Sequence, residues 1–261
     1  MAKTVLQREI DRLHRAEKRF LKKHFHKEPS KLDLLLADKV PEKLESTLIK
    51  AFSKAFHIIF SKGTGIIGKT FSQDKLAFDY EVDTLDLDMH GGSWQMNKFK
   101  RRAARTGTAH TILSSVTGAA LGIIGSPLPD VVIFITLLLR NIYQIAMKYG
   151  YEFNNDEERK FILRIIAAAV QDGDDLLNAN KDVNQLIRTG LHSDTSVDDE
   201  IEKAAGALAH ALLLMKFLQN IPVAGAIGGA SDFIYMERIS DYAVLKYQRR
   251  FLVDQLKSGR E

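Results

Sequence analysis

Gly63 to Thr70 reads GTGIIGKT, the spacing G-x-x-x-x-G-K-[ST] of a phosphate-binding loop. In that role Gly63 and Gly68 would let backbone N–H groups close around phosphates, Lys69 would reach the outer ones and Thr70 would hold Mg²⁺. The loop also needs a buried strand ahead of it, and AFSKAFHIIF continues a helical apolar face instead. No strand-terminal Asp offers a second magnesium contact. Nucleotide hydrolysis is therefore kept as the alternative reading rather than the leading one.

Asp86, Asp88 and His90 alternate in DLDMHGG, so an extended segment would turn all three toward one side as metal ligands. A twelve-residue calcium loop is excluded because Asn97 stands where the final Glu is required. His24, His26 and Glu28 crowd a helix end beside Pro29, and a solvated acidic or polar loop accounts for either cluster. Asp130, His210 and Asp232 are the side chains an unrecognised hydrolase would use. Capping of the helices that follow is the preferred account of Asp130 and Asp232, with a functional carboxylate pair as the alternative. The chain has no cysteine, no H-E-x-x-H and no G-x-S-x-G, which removes thiol nucleophiles, cysteine zinc sites, disulfides and two common hydrolase signatures. No reaction, metal or cofactor is named by these residues.

The elements that must position them read as helices. From residue 4 to 26, Leu6, Ile10, Leu13, Phe20, Leu21 and His24 share one face, interrupted by Glu17, and Arg8, Arg12, Arg15 and Arg19 line the opposite one. Pro41 suits the first turn of a second helix. Asn154 to Asp156 supply a cap for EERKFILRIIAAAVQ, a further helical segment spans LLNANKDVNQLIRTGL, Thr195 or Ser196 caps the next, and a last helix covers about 232–256. Phe78 to Met89 alternates apolar and acidic residues ahead of two glycines, which predicts a short extended or irregular segment. The fold class is all-α: a basic amphipathic helix over 1–29, a multi-helical bundle over 30–256 and a short tail over 257–261.

Residues 106–129 carry no Lys, Arg, Asp or Glu, and Pro127 and Pro129 divide this apolar run into two legs. The first leg, 112–125, would be about 21 Å long as a helix, short of a bilayer core of roughly 30 Å. A helical hairpin, buried in protein or dipping into one leaflet, satisfies its backbone without crossing. Gly118 and Gly122, like Gly225 and Gly229, are spaced for close helix approach, which predicts a second such hairpin near Val223 and Ile227.

PEKLESTLIKAFSKAFHIIFSKGTGIIGKT from Pro41, GAALGIIGSPLPDVVIFITLLLRNIYQIAMKYGYEFNNDEERKFILRII from Gly118 and IPVAGAIGGASDFIYMERISDYAVLKYQRRFL from Ile221 together resemble the EcsC family over roughly residues 40–252. The resemblance leaves the basic first helix outside and carries no catalytic set. It implies a bacterial cytoplasmic or membrane-peripheral protein. Because the family takes its name from a gene beside an ABC transporter operon, it also implies a transporter or secretion complex as partner.

Charge placement completes the expectation. The net charge is +4, yet residues 1–31 hold ten Lys/Arg against four acids, and Lys98, Lys100, Arg101, Arg102 and Arg105 follow in a run without any acid. These cations and Trp94 are expected to face an anionic membrane on the inner side of the cell membrane, with Ile123, Ile124, Leu128, Val223 and Ile227 inserting at the hairpin tips. The basic runs lack interleaved aromatics, so nucleic acid is not an expected partner. The start of the chain shows no apolar signal-peptide core, which predicts neither export nor an anchor there. Six acids between Asp74 and Asp88 lie close in sequence to the second basic run, and either mask it or stand as a solvated loop.

Overall fold

The computed structural model describes residues 4–25, 42–104, 129–218 and 230–259. The helices are α1 (Val5–His24), α2 (Glu42–Ile58), α3 (Thr64–Gly68), α4 (Gln73–His90), α5 (Ser93–Ala104), α6 (Pro129–Lys148), α7 (Asp156–Val170), α8 (Gly173–Thr189), α9 (Val197–Leu218) and α10 (Ala230–Lys257), with a π-helical turn at Ile59–Gly63 between α2 and α3. No strand occurs among the described residues. The expected hairpin tips, with Ile123, Ile124, Leu128, Val223 and Ile227, lie outside them, as does Arg105.

Local chemistry sets most helix ends. Thr4 and Gln7 cap α1 reciprocally, Asn155 accepts from the Glu158 amide at the start of α7, and Gly190 leaves α8 in the left-handed region. Of the two candidate caps for α9 it is Ser196 that serves: its hydroxyl accepts from the Asp199 amide at 3.1 Å, and Asp199 returns the bond to the Ser196 amide. Pro129 opens α6, where its missing N–H costs nothing.

α4 corrects the sequence expectation for Phe78–Met89, which is helical throughout, capped by Ser72 at one end and by Gly91 at the other. Alternation arose because the helix carries apolar residues on two faces. Leu76, Tyr80 and Leu87 turn toward the fold, and Phe78, Val82, Leu85 and Met89 turn away from it. Two helical stripes on opposite sides interleave into an apparent period of two.

α6 is the apolar centre. Its Val131–Lys148 window is long and apolar enough to cross a membrane by length and composition, but 78% of that window is buried inside the protein. α2, α4 and α10 pack around it. The junction with α4 is close: Gly150, at φ +82, ends α6 directly beneath the Tyr80 ring, where a Cβ would lie 2.2 Å from the ring. α7 forms a second centre under α8, α9 and α10.

α1 is built into the fold against α10 and α8 rather than standing as a separate N-terminal unit. Its inner face holds Leu6, Leu13 and Phe20, together with two carboxylates, Glu9 and Glu17. Glu17 pairs with Lys246 and Arg249 of α10 and accepts from Asn184 of α8. Lys246 is 0% exposed and also donates to Asn180 at 2.6 Å and Asn184 at 2.7 Å. Burial pushes Lys246 down to about 8 against the pull of Glu17, which leaves it charged at neutral pH. Burial also raises the Glu17 carboxyl, but Lys246 and Arg249 more than offset that, and it ends below the usual range.

Lys246→Met therefore strips Glu17 of its main partner and should cost about 3–5 kcal/mol in urea unfolding. Glu17→Leu combined with Lys246→Met removes both charges and should recover most of that loss. A double variant as unstable as Lys246→Met would show that packing, not charge pairing, sets the cost.

Candidate functional site

The two basic segments that lie far apart in the chain meet side by side. Glu9, 0% exposed on the inner face of α1, receives Arg12 from its own helix and Lys100 from α5. Arg12 reaches further, to the Asn97 side chain at 3.4 Å. One buried carboxylate thereby clips α5 against α1, and α10 closes the third side.

The result is a groove of about 550 Å³ whose lining includes Arg12, Arg19, Lys100, Arg101, Trp94 and Tyr149, with no Asp or Glu in it. Tyr149 is buried, its hydroxyl has no hydrogen-bond partner among the described residues, and burial pushes its phenol well above the usual range, so it stays protonated. Trp94 is 65% exposed at the rim, with the Lys98 ammonium 5.4 Å from its ring centroid. Arg8, Arg15, Arg19 and Arg101 are exposed and form no ion pair among the described residues. The groove presents four cations, of which Arg12 and Lys100 are paired with Glu9 behind it, together with the side-chain amides of Asn97 and Gln248 and an aromatic edge.

The acidic stretch lies directly beside it. Asp83 pairs with Arg102, and Asp86 pairs with Lys98 at 3.1 Å and with His90 at 3.1 Å. Donation from Lys98 holds the Asp86 carboxyl below its ordinary value. Of the second basic run, Lys98 and Arg102 are thus engaged by α4, while Lys100 and Arg101 turn into the groove.

The other predicted positions fall elsewhere. Gly63 closes the π turn, Gly68 ends α3 and both follow a helix, so the strand–loop–helix frame of a phosphate loop is not present around Lys69. Thr70 is committed to structure: its hydroxyl bonds the Ile67 carbonyl and accepts from Arg140 Nε at 2.8 Å. Lys69 is exposed. The helical form of α4 separates Asp88 from Asp86 and His90, which overturns the three-ligand face expected of an extended segment, and no metal-sized cluster occurs among the described residues. His24 packs its ring 4.6 Å from Phe20, while His26 and Glu28 lie outside the described residues. His210 is exposed beside Glu45 at 3.4 Å. Asp130 and Asp232 fall in the first turns of α6 and α10.

Sequence reasoning missed Glu9 and undervalued Glu17, which it read only as an interruption of an apolar face. An acid on the apolar side of a strongly basic helix was the available signal. A larger cavity, about 750 Å³ between α7, α8 and α9, carries both signs of charge, and its Arg164 already pairs with Ser193, Thr195 and Glu200.

Comparison with known proteins gives one family: the model of the EcsC protein family matches residues 7–252. The match takes in α1, where the sequence resemblance had begun only near residue 40. No curated protein and no solved structure matches the chain.

With Thr70 held by Arg140 and Lys69 outside any strand–loop–helix turn, calorimetric titration with ATP or GTP in the presence of Mg²⁺ should give no binding heat. Saturable heat that disappears in Lys69→Ala would restore the phosphate-loop reading.

Proposed function

This chain belongs to the EcsC protein family, and from that premise we propose that it is a peripheral membrane-associated binding protein of the bacterial cytoplasm. Its cationic groove would rest on the anionic inner face of the cell membrane. Its task there is binding rather than chemistry, as an accessory to a membrane transporter or secretion complex. The observation that carries the reading is the convergence of Arg12, Arg19, Lys100 and Arg101 from two helices into one groove, where Glu9 compensates Arg12 and Lys100 and leaves Arg19 and Arg101 unpaired among the described residues.

The physical form of the contact follows from how α1 is held. Its apolar face is spent on α10 and α8, so the helix meets lipid with its basic side only. Each cation near an anionic surface contributes about 1 kcal/mol, which makes the attraction additive, shallow and sensitive to salt. Trp94 at the rim adds an interfacial aromatic. The acids of α4 hold two further cations back, so neutralising those acids would enlarge the adhesive surface.

Sedimentation with vesicles tests this. Binding to anionic vesicles at low salt should fall by about a hundredfold in the Arg15→Gln, Arg19→Gln, Arg101→Gln variant, at about 1 kcal/mol per residue, and vanish on neutral vesicles. Equal failure to bind anionic and neutral vesicles at low and high salt would remove the proposal. Asp83→Asn with Asp86→Asn should tighten anionic-vesicle binding more than Asp194→Asn with Asp198→Asn, which changes the net charge equally at a distance from the groove. Equal effects would reduce the role of α4 to total charge.

A further inference from the structure

Most exposed large apolar side chains of the described residues collect on one element. Phe78 is 63% exposed, Val82 44%, Leu85 58% and Met89 69%, all on the outer face of α4. Their spacing of four, three and four residues is that of successive d, a, d and a positions of a heptad, with Phe78 and Leu85 at d and Val82 and Met89 at a. The inward positions carry Leu76, Tyr80, Asp83 and Leu87, so the helix is seated on the fold by one side and presents an apolar seam from Phe78 to Met89 on the other, with Lys75 at the a position before it.

The residues flanking the seam have one sign. Asp79 and Asp86 occupy the e positions, and Asp74, Glu81 and Asp88 the g positions; Asp86 is already engaged by Lys98 and His90, and the other four keep the flanks acidic. In two-stranded helical pairs these are the positions that choose the partner. We propose that α4 is one half of a two-helix interface, and that its partner is a helix of another protein with an apolar seam flanked by Lys or Arg.

Two other occupants fit less well. A second copy of this chain would set the acidic flanks of one α4 against those of the other. Among the described residues, the strongly basic helix α1 has its apolar face buried, and the basic helix α5 buries Met96, Phe99 and Ala103. An anionic bilayer would meet the same row of carboxylates on either side of any inserted side chain. The seam from Phe78 to Met89 is about 17 Å long, enough for a reversible contact rather than a permanent one. This interface is separate from the cationic groove and stands whether or not that groove binds membrane.

The probe is a labelled peptide of three heptads with Val at a, Leu at d and Lys at e and g, titrated with the full chain and followed by fluorescence anisotropy. Saturable binding is expected, weakened at least about tenfold by Leu85→Asp, which removes one large apolar contact. The same weakening is expected for a scrambled peptide of identical composition. Leu85 is exposed, so the variant should keep the parent circular dichroism and thermal midpoint. The proposal is overturned if the peptide fails to bind, or if the scrambled peptide or Leu85→Asp binds as well as the parent pair. Self-association of the parent chain in sedimentation, lost in Leu85→Asp, would assign the seam to a second copy and overturn it. Loss of vesicle binding in Leu85→Asp with peptide binding unchanged would assign the seam to the bilayer and overturn it as well.

Discussion

Two carboxylates on the inner face of a basic helix hold this architecture in register. Glu17 draws Lys246 and Arg249 of α10 inward, and Glu9 draws Lys100 of α5. A buried ion pair returns little net stability, because desolvating both groups consumes most of the attraction between them. What it imposes is orientation. A rotation of α1 about its axis would leave two carboxylates and at least two cations buried without partners, so one rotation is allowed and the arginine face points outward. The cationic groove is the consequence: once Glu9 has fixed α5 beside α1, the remaining cations of both helices have only one surface to share.

The molecule then separates charge more sharply than its net value of +4 implies. α4 sits at the boundary. Its inward and e-side acids, Asp83 and Asp86, neutralise Arg102 and Lys98, while its outward side keeps an apolar seam between further acids. One helix therefore does three things at once: it anchors the α4–α5 hairpin to α6 through Tyr80, restrains part of the second basic run, and leaves a surface of opposite sign to the groove. The two surfaces are of opposite sign, so a ligand of one would be repelled by the other.

Apolar content alone does not separate core from membrane here. α6 has the length and composition of a crossing segment, and it is also the helix around which α2, α4 and α10 are arranged, with 78% of its apolar window buried. Its polar groups reach neighbouring elements: Arg140 donates to Thr70, and Asn141 donates to Ser240 of α10, while the Asn141 side-chain oxygen has no partner among the described residues.

Helix type and several helix ends were legible along the chain, because they depend on contacts within one or two turns: the cap within Asn154–Asp156, the cap at Thr195 or Ser196 and the 3.6-residue apolar period of α1. α4 was misread for a reason of the same kind, since two apolar faces on one helix sum to a period that is not helical. The basic residues of the groove were identified individually by charge and spacing. That α1 and α5 carry them to one place could not be read there, because it depends on Glu9 meeting Lys100 across 91 positions of chain. Tertiary packing also decided that Thr64–Gly68 is helical and that Thr70 belongs to Arg140. Short-range patterns record local hydrogen bonding and side-chain periodicity, whereas which charges share a surface is set by the desolvation of groups that only the folded chain brings into contact.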